Sequence, residues 1–158
     1  MTEKEFQKLI NQDKYQVFIF YSWCTLPILG ARHPWIVINE KGKVSRWEVV
    51  HIKNLTKDGL GYLSKDLLLP WQGVKVFLFS KKPRWDSKML GLIEGEENST
   101  AHHMANFVNN SKINYPNCHR YNLLGPNSNT YAQWIISNFP EFKVKLPWNC
   151  FGKNYKLK

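Results

Sequence analysis

A chain of 158 residues with 43% hydrophobic and 15% aromatic side chains is long enough to bury a sizeable core and too apolar for a disordered segment. Its 22 Lys and Arg against 12 Asp and Glu give a net charge of +10, which favours anionic partners such as nucleic acid, acidic lipid or wall polymers. The basic residues are spread along the chain, densest at Lys81-Lys82-Pro83-Arg84 and over residues 153–158, and no recognised nucleic-acid motif accompanies them, so a nucleic-acid groove is not expected.

Residues 2–13 read as a short amphipathic helix with Phe6, Leu9 and Ile10 on one side, a cover for a sheet that begins with a strand around residues 15–21. The run 17–31 is the single candidate targeting segment, with Lys8 and Lys14 before it and Leu29-Gly30-Ala31 at its end. It contains Tyr21, Ser22, Trp23 and Pro27 and is shorter than the ~20 residues of a membrane span, so a buried strand explains it better. Residues 34–38 and 44–51 are β-rich and joined by Asn39-Glu40-Lys41-Gly42-Lys43, whose glycine suits the left-handed position of a hairpin. Residues 53–72 mix polar and aliphatic types, with Pro70-Trp71 in a packed loop, and receive no regular element. Strands follow at 74–80 and 88–93. Asn98-Ser99-Thr100 opens a helix that uses Ala101, Met104, Ala105 and Val108 and ends at Asn109-Asn110. A last helix spans residues 129–139, where Pro140 stops it, and residues 146–158 mix apolar anchors with turn formers. No repeat or low-complexity tract interrupts the chain. Strands followed by helices predict an α+β fold with an antiparallel sheet, one domain over residues 1–158, residues 1–13 covering it and residues 146–158 docked as a tail.

Cys24, Cys118 and Cys150 form neither a C-x-x-C pair nor a dense even set, which predicts reduced thiols and a cytoplasmic setting. Cys118-His119 lacks a four-ligand pattern, so neither a structural metal nor a cofactor is expected.

The most informative stretch is Tyr121-Asn122-Leu123-Leu124-Gly125-Pro126-Asn127-Ser128-Asn129-Thr130-Tyr131-Ala132-Gln133-Trp134. Gly125-Pro126 breaks the preceding segment, Asn127 or Ser128 can cap, and Tyr131, Trp134, Ile135 and Phe139 recur at helical spacing. A helix start of this kind offers free N–H groups and a positive dipole end, which cysteine hydrolases use to lower a thiol pKa and hold an oxyanion. Here the critical residue is Ser128. A serine hydroxyl needs a base to take its proton, and His33 is the candidate; the competing reading makes Ser128 a cap and His33 a hydrogen-bonded, half-buried histidine.

Ala31-Arg32-His33-Pro34-Trp35-Ile36-Val37, Arg46-Trp47-Glu48-Val49-Val50, Gly125-Pro126-Asn127-Ser128-Asn129-Thr130-Tyr131, Leu146-Pro147 and Gly152-Lys153-Asn154-Tyr155 resemble the blocks of a bacterial family, domain of unknown function 3750. More distantly, His33 early and Tyr121-Asn122-Leu123-Leu124 leading to Asn127-Ser128 late resemble the order in circularly permuted papain-like proteins, relatives of NlpC-type peptidases and of lecithin:retinol acyltransferase. That resemblance implies their architecture, with serine where the superfamily has its nucleophilic cysteine. It implies a hydrolase or acyltransferase acting on an amide or ester of a small-molecule, peptide or acyl substrate, or a non-catalytic module binding such a ligand in the same cleft.

An orienting partner for His33 depends on hairpin register. A two-residue Lys41-Gly42 loop leaves Glu48 diagonal to His33, whereas a three-residue loop brings His51 to that face. Turn chemistry prefers the second register; the resemblance, which often has an acidic residue here, prefers Glu48, and Glu48 is selected. Asn127 and Asn129 are candidate substrate contacts and Trp35 a candidate cleft wall, each with a plain structural alternative as turn residue or core aromatic. Lys153 is a candidate contact for an anionic substrate or a surface charge.

Overall fold

The computed structural model describes residues 1–25, 30–51, 61–77 and 83–156. Its centre is a five-stranded antiparallel sheet in the order β4-β3-β2-β1-β5, built from β1 (Tyr15–Trp23), β2 (Arg32–Glu40), β3 (Lys43–His51), β4 (Gly61–Lys65) and β5 (Lys88–Gly95). Helices α1 (Glu3–Gln7), α2 (Thr100–Asn109), α3 (Ser111–Asn114) and α4 (Ser128–Asn138) complete the α+β fold.

Both faces of the sheet are covered, which is why β1 and β2 are apolar on consecutive residues rather than on alternate ones. On one face Val17, Ile19, Ile36, Ile38, Trp47, Val49 and Leu63 pack against Met104, Ala105 and Val108 of α2 and Tyr131, Ala132 and Ile135 of α4. The other face carries Phe18, Phe20, Trp35 and Val37, closed by Phe6 of α1 and by Trp71.

Helix α1 is shorter than the 2–13 expected. Thr2 and Glu5 close a reciprocal capping box at its start. Its end is set by Gln16 of β1, whose amide takes the Leu9 carbonyl and the Asn11 N–H, groups that a longer helix would have used itself. Two elements escaped the periodicity, β4 and the single turn α3. Residues 74–77, expected to begin a strand, form isolated bridges, with Lys75 opposite Arg84; the rest of that expected strand lies outside the described residues. Of the run 17–31, residues 17–23 belong to β1, and residues 26–29 also lie outside the described set.

The β2–β3 hairpin fixes the register on which the site depends. Ile36 pairs with Trp47, Val37 with Arg46 and Glu40 with Lys43, so the loop is the two-residue Lys41-Gly42. Both loop residues have positive φ, +51° and +93°, the requirement of a type I′ turn whose twist matches the strands. Lysine is a poor residue for that backbone; the turn is held from outside by Asn39, whose Oδ1 accepts from Gly42 N at 2.7 Å, and by Lys14, whose carbonyl accepts from Lys41 N.

Candidate functional site

Helix α4 starts at Ser128 with Asn127 as its cap. Asn127 Oδ1 accepts from Asn129 N at 2.9 Å and Thr130 N at 3.2 Å, and Thr130 Oγ1 returns a bond from Asn127 N. The Asn127 amide nitrogen then reaches the carbonyls of Asn122, Leu123 and Phe151. Asn129 Nδ2 donates to Phe151 O, and Thr130 Oγ1 to Gly152 O. The Gly125–Tyr131 and Gly152–Tyr155 blocks of the sequence therefore meet in space. A Cβ on Gly152 would fall 2.6 Å from Asn127 Nδ2, which explains a glycine there. Of the two expected substrate contacts, Asn127 spends its whole amide on the backbone of the chain itself and Asn129 its Nδ2, while Asn129 Oδ1 is buried without a partner among the described residues. Lys153 is equally engaged: its Nζ bonds the carbonyls of Leu146 and Pro147 at 2.9 and 3.1 Å and closes the turn between them and Cys150.

Asn127→Ala should therefore lower stability by about 2 kcal/mol, the upper end for loss of a helix cap, because the Leu123 carbonyl also loses its donor and the carbonyls of Asn122 and Phe151 each lose one of two. Chemical denaturation measures it directly.

Ser128 is 2% exposed, and its hydroxyl donates to the Pro34 carbonyl at 2.5 Å. The β2–β3 pairs end at Ile36 and Trp47, so Pro34 has no ladder partner on β3, and the start of α4 seats its serine on the Pro34 carbonyl.

His33 lies beside that contact in sequence but on the other face of the sheet. It shares the layer of Trp35, 6.4 Å between ring centroids, whereas α4 packs on the face of Ile36 and Ile38. Its Nε2 is 2.8 Å from Glu48 Oε2. Arg46 Nη2 donates to the same oxygen at 3.0 Å, and Arg46 Nε stands 2.8 Å from Glu48 Oε1, an ion pair without hydrogen-bond geometry. Burial raises the Glu48 pKa, but the Arg46 charge and the bond from His33 outweigh it and hold the carboxyl at about 2. An ionised Glu48 makes Nε2 the proton-bearing nitrogen of His33.

Arg46 is the hub of this layer. Fully buried, it lies 4.0 Å from the centre of the Trp35 ring and donates through Nη1 to the carbonyls of Leu69 and Gln72, fastening the irregular segment after β4 onto the sheet. Trp35 Nε1 adds a bond to Pro70 O. Trp35, expected as a cleft wall, is fully buried core. The expected arrangement of Ser128 facing His33 across a cleft is not what the chain forms, because successive residues of β2 point to opposite faces and α4 covers only one of them. Sequence reading passed over Arg46; its only signal was a charge two residues from Glu48, on the same strand face.

None of the three cysteines is poised as a nucleophile. Burial pushes the thiols of Cys24 and Cys150 up to about 11 and about 12, away from the thiolate a nucleophile needs, and raises that of Cys118 as well. All three are free. Among the described residues no helix is long and apolar enough to cross a membrane.

No curated protein and no solved structure matches this chain significantly. A family model described as "Protein of unknown function (DUF3750)" matches residues 13–155, and the chain belongs to that family.

Proposed function

We propose that this protein is a non-catalytic binding module on a permuted papain-like, NlpC-type architecture, in which the serine at the helix start serves the fold rather than a reaction. The architecture is supported by the meeting of the late helix start with the early strand at Pro34, the residue after His33. The loss of chemistry is supported by the fate of each catalytic group. The Ser128 hydroxyl is bound to a main-chain carbonyl, the N–H groups of Asn129 and Thr130 that would receive an oxyanion are filled by Asn127, and His33 directs Nε2 to Glu48. The single observation that carries the reading is the Ser128–Pro34 bond, since a nucleophile must present its oxygen to a base and to substrate. Unpaired cysteines favour a cytoplasmic setting.

Among the described residues, a surface open for binding lies where the chain from residue 148 onward meets α4. Leu124, Trp148 and Phe151 border one depression of about 280 Å³, and Gln133, Trp134 and Ser137 border a second of about 260 Å³; Tyr155 stands between them.

The competing reading is a hydrolase or acyltransferase on amide or ester bonds, with Ser128 as nucleophile, His33 as base and Glu48 as orienter. Ser128→Cys separates the two. On the binding-module reading the thiol, buried like the serine it replaces, resists iodoacetamide in the folded protein at neutral pH and titrates at or above the reference of ~8.5. Rapid alkylation at neutral pH that disappears with His33→Gln establishes the catalytic reading instead.

A further inference from the structure

The described residues expose most of two large apolar side chains in one place. Trp148 is 81% exposed and Leu124 76%; Phe151 and Tyr155 border the same depression at 40% and 36%. The Trp148 and Phe151 rings meet edge to face, 6.5 Å apart. These side chains stand exposed around a shallow depression that, at about 280 Å³, falls below the size that encloses a small molecule. Exposed tryptophan and leucine of this kind fit a partner that yields around them.

Charge says which partner. The first 97 residues hold 15 basic and 11 acidic side chains, so they are close to balanced. From Asn98 onward there are seven Lys and Arg and a single acid, Glu141, so the last two-fifths of the chain, which carries the exposed apolar cluster, carries +6 of the net +10. Lys143 and Lys145 precede Trp148 as exposed residues, and exposed Lys156 follows Tyr155. Lys153 is excluded from this set, because its ammonium is bound to Leu146 O and Pro147 O.

We propose that the exposed cluster formed by Leu124, Trp148, Phe151 and Tyr155 docks this protein onto an anionic lipid bilayer. Tryptophan and leucine enter the headgroup boundary, tyrosine lies along it with its hydroxyl in water, and Lys143, Lys145 and Lys156, exposed within a few residues of Trp148 or Tyr155 along the chain, meet the lipid charge. This names the partner of the surface assigned above and rests on that reading. The two fail separately, since lipid binding is measured on vesicles and serine reactivity by alkylation in their absence.

The test is cosedimentation of the full chain with large vesicles of phosphatidylcholine, alone or with about 30% phosphatidylserine. Binding is expected on the anionic vesicles, at least about tenfold above the neutral ones, and falling by about tenfold between low and high salt. Leu124→Ser with Trp148→Ser should weaken it about tenfold with the denaturation midpoint unchanged, because both side chains are mostly in water. Lys143→Glu with Lys145→Glu gives an independent loss through charge alone. Absence of binding to anionic vesicles overturns the proposal. So does vesicle binding that both double variants retain in full, or salt-sensitive binding to DNA of equal strength with no effect of Leu124→Ser and Trp148→Ser, which would mark a polyanion binder.

Discussion

Arg46→Met should destabilise the protein by about 3–5 kcal/mol, the cost of leaving a buried carboxylate without its partner. Glu48 is 1% exposed and receives both Arg46 and His33, so removing the guanidinium strands a charge that water cannot reach. In the same step the Gln72 carbonyl loses its donor and the Leu69 carbonyl, which also accepts from Gln72 N, loses one of two, which should loosen the segment after β4 before the sheet itself gives way. At this chain length each kcal/mol moves the melting temperature by roughly 2–4 °C, so the shift is about 10 °C. Arg46→Met combined with Glu48→Leu should recover a large part of the loss, because the pair is then replaced by apolar groups rather than broken. A double variant as unstable as the single one would mean that Arg46 acts through Leu69 and Gln72 alone.

Acid should unfold the protein through the same carboxyl. The folded pKa of Glu48, about 2, lies below its ordinary 4.5, so the folded state binds this proton less readily than the unfolded chain does. The resulting stability is complete above pH 4.5 and is lost as the pH falls from there toward 2; the size of the shift corresponds to about 3 kcal/mol. Glu5 and Glu97 are also shifted down, but both are exposed and screened and add little to the slope. Urea denaturation at stepped pH should therefore show a steep fall between pH 4.5 and 2 that Glu48→Gln flattens. An equally steep fall in that variant would place the acid-sensitive group elsewhere.

How much of this was legible in the sequence depends on whether the signal was local. The capped starts of α2 and α4 were readable, since Ser99 and Asn127 are followed by helical periodicity within one turn. The antiparallel sheet was readable from its apolar runs, and so was the hairpin between β2 and β3. Its register was not settled by turn chemistry. Lys41 is an unusual residue at positive φ, and what stabilises it comes from Asn39 and Lys14, the latter 27 positions before Lys41. The contact between His33 and Glu48 follows once that register is known.

The strand β4 and the end of α1 depend on tertiary partners. β4 is paired along its whole length with β3, a partner that the local mixture of residues 61–65 does not announce, and Gln16 truncates α1 from the neighbouring strand. The side of the sheet on which α4 lands was the decisive gap. Parity along β2 assigns His33 to the face of Trp35, but nothing in residues 121–139 says which face their helix will cover. Lys153 illustrates the same limit: a lysine among turn residues looks like a surface charge, and its role as a clamp on Leu146 and Pro147 depends on a backbone path that only the folded segment defines.

The central claim, that Ser128 holds the fold and attacks nothing, is tested most directly on the unaltered protein with a fluorophosphonate probe followed by peptide mapping. The bond from Ser128 to the Pro34 carbonyl predicts no adduct on Ser128 in the native protein at neutral pH. A stoichiometric adduct at Ser128 that requires the native fold and disappears with His33→Gln would contradict it.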